Sequence, residues 1–153
     1  MAYWLLKTEP DAFSLADLQA APNSTTVWDG VRNYQARNFI RDGMQVGDKA
    51  FIYHSSCKVP AIVGVATISK GPFADPAQYD ASSDYYDPKA TADAPRWFSV
   101  DVKYTETFAK PITLQQIKAD PAIVELALKK SGRLSVMPVT NEEWQYLYGI
   151  ASK

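Results

Sequence analysis

The order of the predicted secondary structure is the feature that most limits the fold of this chain. Apolar or alternating segments predict strands over residues 3–8, 50–53, 59–68, 97–104 and 134–136. The intervening segments predict short helices over residues 15–20, 34–41, 114–119, 122–130 and 141–148. These elements do not alternate as regular βαβ units, which argues against a doubly wound parallel sheet. We therefore expect an α+β domain with a mostly antiparallel, curled sheet or a small barrel.

Turn and capping residues indicate where the predicted helices and strands begin and end. A polar residue that can accept a hydrogen bond from the first turn precedes four of the helices. These predicted N-caps are Ser14, Asn33, Thr113 and Thr140. Residues 22–26 and the proline- and aspartate-rich segment 71–95 are predicted to be loops. Gly64 lies within a predicted strand and indicates a bulge or a close backbone approach.

Length and composition are those of one globular domain. The chain has 153 residues, of which 46% are hydrophobic and 22% are charged, so we expect a single domain over residues 1–153. A single cysteine, Cys57, excludes an internal disulfide and an all-cysteine zinc site. The apolar start ends at Lys7, too early for a signal peptide, and no segment is long enough to span a membrane. We expect a cytoplasmic protein.

The charge argues against a tight, non-specific nucleic-acid binder. The net charge is −1, whereas such binders are strongly basic. Residues 29–58 contain five Lys or Arg against three Asp, and residues 71–95 contain one Lys against five Asp. The molecule is therefore expected to have one mildly basic face and one acidic loop.

The residues give little support for catalysis. His54 and Cys57 are the only histidine and the only cysteine, and no motif supplies a group that would orient them as a nucleophile and its base. The chain has neither a phosphate-binding P-loop nor a G-x-G-x-x-G motif, and one His with one Cys is a poor zinc-ligand set. We therefore predict no catalytic residue, no cofactor and no metal.

Aromatic side chains are abundant for a small domain, with 4 Trp and 9 Tyr. Trp and Tyr combine an apolar ring with a polar end, so they collect at half-buried positions and binding surfaces. Trp28 precedes an Asp-Gly turn, where its ring is expected to remain partly accessible. On the residues alone, a core position is still favoured for Trp28, since most tryptophans are largely buried.

Seven segments of the chain, in order, resemble the EVE domain. They cover nearly the whole chain and depart from the family pattern at Met137, where Gln is common before the proline. The segments are 3–10 (YWLLKTEP), 28–38 (WDGVRNYQARN), 46–48 (VGD), 53–55 (YHS), 85–89 (YYDPK), 95–97 (PRW) and 132–139 (GRLSVMPV). The resemblance implies a PUA-like fold, a small and partly open β-barrel flanked by short helices.

The resemblance also implies a function. EVE domains are similar to YTH domains, which bind a methylated base in an aromatic cage, and they are thought to read modified bases in DNA or RNA. A flipped base needs flat apolar walls and polar groups for its Watson–Crick edge. The residues that the resemblance places in such a pocket are Trp28, Trp97, Asn33, Lys7, Glu9, His54, Ser55, Tyr85, Tyr86, Leu134, Ser135 and Val136. The candidate phosphate contacts are Arg32, Arg37, Lys58 and Arg133.

The expected partner is therefore modified DNA or RNA, bound without catalysis by a monomer. Two other functions remain open at this point. The pocket could belong to an enzyme acting on a small molecule or nucleotide through His54, Cys57 or Glu9. Alternatively, the domain could be a protein-interaction adaptor, whose mark would be an exposed apolar patch without a deep aromatic pocket.

Overall fold

A computed structural model describes residues 1–123, 128 and 134–152 of the chain. Its strands are β1 (Tyr3–Thr8), β2 (Thr25–Trp28), β3 (Lys49–His54), β4 (Ala61–Ala74), β5 (Phe98–Thr113) and β6 (Val136–Val139). Its α-helices are α1 (Leu15–Ala20), α2 (Tyr34–Asn38), α3 (Leu114–Ala119) and α4 (Asn141–Ala151). One-turn 3-10 helices occupy Pro22–Ser24 and Pro76–Tyr79, and a π-helical turn, Phe39–Gly43, continues from α2. Within the described part of the chain, no helix is both long and apolar enough to cross a membrane.

The six strands form one sheet in the order β2-β5-β4-β3-β1-β6. Only β1 and β3 pair in parallel, and every other neighbouring pair is antiparallel. The expected α+β class with a mostly antiparallel sheet is thereby confirmed. The parallel pairing matters for the site, because it brings the carboxyl ends of β1 and β3 to the same edge.

Register shifts bend the two longest strands. The β4–β5 ladder shifts at four places, one of them between Ile62 and Gly64. A Cβ on Gly64 would lie 2.2 Å from the carbonyl oxygen of Glu106, so the close backbone approach predicted at this glycine is confirmed. Bulges increase strand twist. This curvature brings β2, on one side of the sheet, back toward the end of β1 across the three intervening strands.

The caps predicted from the sequence are confirmed. Ser14, Thr113 and Thr140 each form a capping box, and the Asn33 side chain accepts from the backbone N–H of Ala36 at 3.0 Å. These interactions fix where α1, α3, α4 and α2 begin, and hence where the loops beside the site leave the sheet.

Several boundaries differ from the expectations. β2 occupies residues 25–28, part of which was predicted to be loop, and β4 continues to Ala74 through a segment that contains Gly71 and Pro72. β5 runs to Thr113, well past residue 104, and β6 begins at Val136. The predicted helix over 34–41 is divided into α2 and the π turn. Most of the predicted helix over 122–130 lies outside the described residues.

Part of the hydrophobic core lies between the sheet and α4, and the rest includes buried residues of α1, α2 and the π turn. Trp144 of α4 stacks on Phe51 of β3, with ring centroids 3.8 Å apart, and Tyr3 of β1 stacks on Trp144 at 4.4 Å. On the other side of the sheet, the buried Asp48 accepts from the Trp4 indole N–H at 3.0 Å and from the backbone N–H of Gln45 at 2.9 Å. This packing immobilises β1 and β3, whose ends carry the site.

Candidate functional site

The Trp28 cavity lies between the end of β1 and the edge strand β2. It has a volume of about 330 Å³, and its lining residues are Thr8, Ala12, Phe13, Thr26, Val27, Trp28, Asp29 and Tyr85. Phe13 meets Trp28 edge to face, with ring centroids 6.3 Å apart and planes at 81°. Since Tyr85 also lines the cavity, three aromatic rings enclose it. Its volume is at the lower end of the range for small-molecule sites.

Two polar groups at this cavity are available to a ligand. Among the described residues, the indole N–H of Trp28 has no hydrogen-bond partner, although only 8% of the residue's surface is exposed. Asp29 follows directly, and its carboxylate forms no ion pair within the described part of the chain. The Thr8 hydroxyl donates to the carbonyl oxygen of Phe13 at 2.7 Å. It can therefore only accept a hydrogen bond from a ligand.

The surroundings of Asp29 raise the pKa of its carboxyl group. Partial burial raises the pKa of the Asp29 carboxyl, and the neighbouring negative charge of Asp75 raises it further. A hydrogen bond from its own backbone N–H and the charge of Arg32 act in the opposite direction and are weaker. Asp29 can therefore act as an acceptor when ionised and also as a donor when protonated.

Gly30 makes the wall formed by Tyr85 possible. It has φ of +79°, and a Cβ at this position would lie 2.7 Å from the Tyr85 ring. Its backbone N–H donates to Asp75 at 2.9 Å. Only glycine adopts this conformation without strain and leaves room for the ring, so the Asp-Gly turn and the cavity wall depend on each other.

Arg32 ties the acidic loop to this turn. Its Nη1 forms an ion pair with the fully buried carboxylate of Asp75 at 2.9 Å, and its Nε and Nη2 donate to the carbonyl oxygen of Tyr85 at 3.1 and 2.7 Å. The guanidinium also lies 5.4 Å from the Tyr85 ring centroid. Arg32 therefore holds Tyr85 in position, with its donors occupied by protein groups.

Trp97 does not line the Trp28 cavity; it belongs to a separate, closed cluster. Its indole N–H donates to Asp87 at 2.8 Å, its ring stacks on Tyr34 at 4.8 Å, and the Arg32 guanidinium lies 5.3 Å from its centroid. The buried Gln78 side chain accepts from the backbone N–H of Trp97 at 3.0 Å. The Trp97 indole hydrogen bond is also the main cause that lowers the pKa of Asp87. The interactions of Trp97 are thus made within the protein.

Two further cavities, which together we call the lysine groove, lie on the other side of the end of β1. One cavity of about 330 Å³ is lined by Lys7, Tyr53, Ser55, Ser56, Pro60, Leu114, Lys118 and Leu128. The other, of about 600 Å³, is lined by Lys58, Val59, Pro60, Thr113, Leu114, Gln115, Lys118 and Ala119. Burial lowers the pKa of the Lys7 ammonium. The backbone N–H of Ser55 donates to the carbonyl oxygen of Thr8 at 3.0 Å, which joins the groove to the Trp28 cavity.

The remaining predicted pocket residues are spread around these cavities. Ser135 accepts from the backbone N–H of Lys7 at 2.9 Å, between the buried side chains of Leu134 and Val136. Glu9 and Tyr86 are exposed and line neither cavity, and the side chain of Asn33 caps α2.

Of the two predicted phosphate contacts other than Arg32 and Lys58, the structure describes only Arg37. Arg37 donates to the carbonyl oxygen of Arg96 at 3.0 Å and to the side chain of Asn38 at 2.8 and 3.1 Å. Its guanidinium also lies 4.8 Å from the Tyr34 ring centroid. Arg133 lies outside the described residues.

His54 and Cys57 do not form a nucleophilic pair. Nε2 of His54 accepts from the backbone N–H of Leu15 at 3.1 Å, and partial burial lowers the pKa of the imidazole. The Cys57 thiol donates to the carbonyl oxygen of His54 at 3.8 Å, not to its ring. Across the described ranges, no group of three His, Cys, Asp or Glu side chains is arranged to hold a metal ion.

Sequence reasoning omitted six of the eight residues that line the Trp28 cavity: Thr8, Ala12, Phe13, Thr26, Val27 and Asp29. Thr8 and Asp29 lie within the segments 3–10 and 28–38 that resemble the EVE domain, next to the predicted pocket residues Glu9 and Trp28. The resemblance could therefore have indicated them. Phe13 carried no signal, because its place depends on how the chain turns between β1 and α1.

A curled, mostly antiparallel sheet with its cavities at the ends of β1 and β3 defines a PUA-like domain. The chain belongs to the EVE domain family, whose profile matches residues 2–150. It is 40% identical to thymocyte nuclear protein 1 of Danio rerio over 167 residues, which cover 98% of this chain and 72% of the relative.

Two solved structures share the fold over their full length. The crystal structure of human THYN1 protein in complex with 5-methylcytosine-containing DNA has a TM-score of 0.95 and 38% identity, covering 100% of this chain and 99% of that chain. A crystal structure of a protein from Pseudomonas putida has a TM-score of 0.92 and 47% identity, covering 98% of this chain and 99% of that one.

Proposed function

We propose that this domain reads a modified base in a nucleic acid, and that the base enters the Trp28 cavity without being chemically altered. The observation that carries the proposal is the cavity's composition: aromatic walls, an unpartnered indole N–H and an unpaired carboxylate. The similarity to the THYN1 complex with 5-methylcytosine-containing DNA supports the choice of ligand. His54 Nε2 and the Cys57 thiol are each hydrogen-bonded to the backbone and not to each other, which supports a binding role over catalysis.

Within this cavity, Asp29 takes the role that the family resemblance implied for Glu9. The exocyclic amino group of cytosine is a donor, and a carboxylate is its natural acceptor. Asp29 lines the cavity, whereas Glu9 is exposed outside it. When protonated, Asp29 also donates, so that one carboxyl group complements both the amino group and the ring nitrogen beside it. This pattern fits both cytosine and adenine, and the similarity to the THYN1 complex with 5-methylcytosine-containing DNA supports the choice of cytosine.

The energetics favour a base that is already accessible. Stacking on an aromatic side chain contributes about 1–3 kcal/mol per base, and extracting a paired base costs a few kcal/mol. These contributions nearly cancel on an intact duplex. We expect binding to be tighter on single strands, or at mismatched or mobile bases, than on a fully paired duplex.

The predicted phosphate contacts also divide into two groups. Arg32 and Arg37 are held by Asp75, Tyr85, Arg96 and Asn38, so we assign them a positioning role. Lys58 is exposed at the lysine groove and remains a candidate for contact with phosphate. We expect the protein to act as a monomer in the cytoplasm.

The proposal is tested with two single-stranded oligonucleotides that differ in one 5-methyl group on cytosine. The wild-type protein is expected to prefer the methylated strand. Trp28→Leu keeps an apolar side chain but removes the flat ring and its N–H, so it should reduce affinity for that strand by about 5- to 150-fold, the equivalent of one stacking contact. Tyr86→Ala, which changes an exposed aromatic outside the cavity, is the matched control and should bind like wild type.

Asp29 variants test the polar contact. Asp29→Asn retains an acceptor oxygen and should bind the methylated strand within a few-fold of wild type, whereas Asp29→Ala should lose about 10-fold or more, because the hydrogen bond to the base is lost. Equal affinity of Trp28→Leu and wild type for the methylated strand would contradict the proposal, and so would equal affinity of Asp29→Ala and Asp29→Asn.

A further inference from the structure

The lysine groove has the composition of an anion-binding surface. Its two cavities share Pro60, Leu114 and Lys118, and three lysines line them: Lys7, Lys58 and Lys118. Among the residues that the structure describes, no Asp or Glu lines either cavity. The hydroxyls of Ser55 and Ser56 lie on the same surface. One sign of charge therefore dominates the groove, although the whole chain has a net charge of −1.

The lysines of the groove differ from the arginines of the protein. Each described arginine donates to a protein group: Arg32 to Asp75, Arg37 to Asn38, Arg41 to Asp42 and Arg96 to Tyr34. By contrast, Lys58 and Lys118 are exposed, and neither has a carboxylate within 4.0 Å in the ranges that the structure describes. Lys58 and Lys118 can therefore neutralise a ligand without breaking an ion pair among the described residues.

The groove is next to the proposed base-binding cavity. Lys7 and Thr8 are consecutive in β1, so their side chains point to opposite sides of the strand, into the groove and the Trp28 cavity respectively. Consecutive Cα atoms are about 3.8 Å apart. The hydrogen bond from the backbone N–H of Ser55, which lines the groove, to the carbonyl oxygen of Thr8, which lines the Trp28 cavity, links the two linings. A strand whose base enters the cavity would have its flanking phosphates within reach of the groove.

From this juxtaposition we infer that the lysine groove binds the phosphodiester backbone next to the base in the Trp28 cavity. The inference rests on the proposed function and deepens it by naming the backbone surface. Lysine ammonium groups and serine hydroxyls are common donors to phosphate oxygens. Each neutralised phosphate on a single strand releases counterions and contributes about −0.7 to the slope of log K against log salt. An acidic peptide has the same charge but would not require a neighbouring base cavity.

The test compares two double variants with the same change in net charge. Lys58→Gln with Lys118→Gln removes the two exposed groove cations. Lys103→Gln with Lys110→Gln is the control, since both lysines are exposed on β5 and line neither cavity. Affinity for a single-stranded oligonucleotide with one 5-methylcytosine is measured at several salt concentrations, together with its unmethylated counterpart. Thermal unfolding verifies that both variants fold like wild type.

The groove variant is expected to make the salt slope shallower by about 1.4, the value for two lost phosphate contacts, with the control variant close to wild type. The preference for the methylated strand should persist in both variants, because stacking is not ionic. Equal slopes for the two variants would overturn the inference. It would also be overturned if a polyglutamate peptide bound the wild type and not the groove variant while oligonucleotide binding stayed unchanged. If the wild type did not prefer the methylated strand, the proposed function would be contradicted. The salt slopes of the two variants would still test the groove in that case.

Discussion

Trp28 and Trp97 have almost the same exposure, 8% and 6%, but lie in opposite environments. Trp97 has a hydrogen-bonded indole, a stacked neighbour in Tyr34 and a cation over its ring. Trp28 has an edge contact with Phe13 and otherwise borders a cavity, with its indole N–H unpartnered among the described residues. Burial alone does not separate a structural tryptophan from a ligand-binding one; the partners of the ring and of its N–H do.

Alanine substitution should separate the two tryptophans by stability. Truncating a buried Trp typically costs about 3–5 kcal/mol in unfolding free energy. We expect Trp97→Ala to fall in the upper part of this range, because the indole hydrogen bond to Asp87 and the stacking on Tyr34 would also be lost. Trp28→Ala should cost at least about 1 kcal/mol less, since part of its ring faces a cavity and no indole hydrogen bond is lost.

Urea unfolding of the two variants and wild type measures this difference. Asp87→Asn serves as a control for the hydrogen bond, because it retains an acceptor for the Trp97 indole while removing the charge. If Trp28→Ala proved as destabilising as Trp97→Ala, the contrast between an open and a closed environment would be wrong.

Much of this architecture can be predicted from local signals. The caps at Ser14, Asn33, Thr113 and Thr140 depend on contacts within one helical turn, and the alternation over 97–104 is a local property of β5. β2 has only four residues after a proline turn and is held by pairing with β5, about 75 residues away, so no local pattern indicates it. The same holds for β4 beyond Ile68, where a proline favoured a loop.

The site could be predicted only in part, for a similar reason. The motif at 28–38 identified Trp28, and the acidic loop supplied Tyr85, and both line the cavity. Arg32 was predicted to contact phosphate. In the structure it instead holds the acidic loop, because it pairs with Asp75, 43 residues away. That pairing arises from the fold of the acidic loop and leaves no mark near either residue.

Gly30→Ala should destabilise the protein less than either tryptophan variant, and its effect on binding should arise only at the Trp28 cavity. The positive φ at this position costs an L-residue about 1–3 kcal/mol, and the new Cβ would displace the Tyr85 ring. We expect a loss of stability in that range, together with weaker binding of the methylated strand. Gly47→Ala is the matched control, because Gly47 also has positive φ, at +96°, but has open space around its Cβ position. A similar loss of base binding in both variants would show that Tyr85 is not part of the wall.

The smallest expected effect is on the pH dependence of stability. Burial lowers the pKa of His54 in the folded state, so the unfolded chain takes up a proton more readily. The stability contributed by neutral His54 is full above the ordinary pKa of 6.5 and is lost as pH falls toward the lower folded-state value. His54→Gln retains an acceptor for Leu15 but does not titrate. It should lose less stability than wild type between about pH 7.5 and about pH 5, as measured by urea unfolding; equal losses would rule out this role for His54.

The most direct test of the Trp28 cavity as a base-binding site follows the four indole N–H signals in a ¹H–¹⁵N spectrum. The signals are assigned with single Trp variants, and a single-stranded oligonucleotide with one 5-methylcytosine is then titrated in. The Trp28 signal should shift as the base stacks and its free N–H finds an acceptor. The signals of Trp97 and Trp4, already bonded to Asp87 and Asp48, should stay in place. A Trp97 signal that shifts while the Trp28 signal stays fixed would place the base in the other cluster and contradict the account.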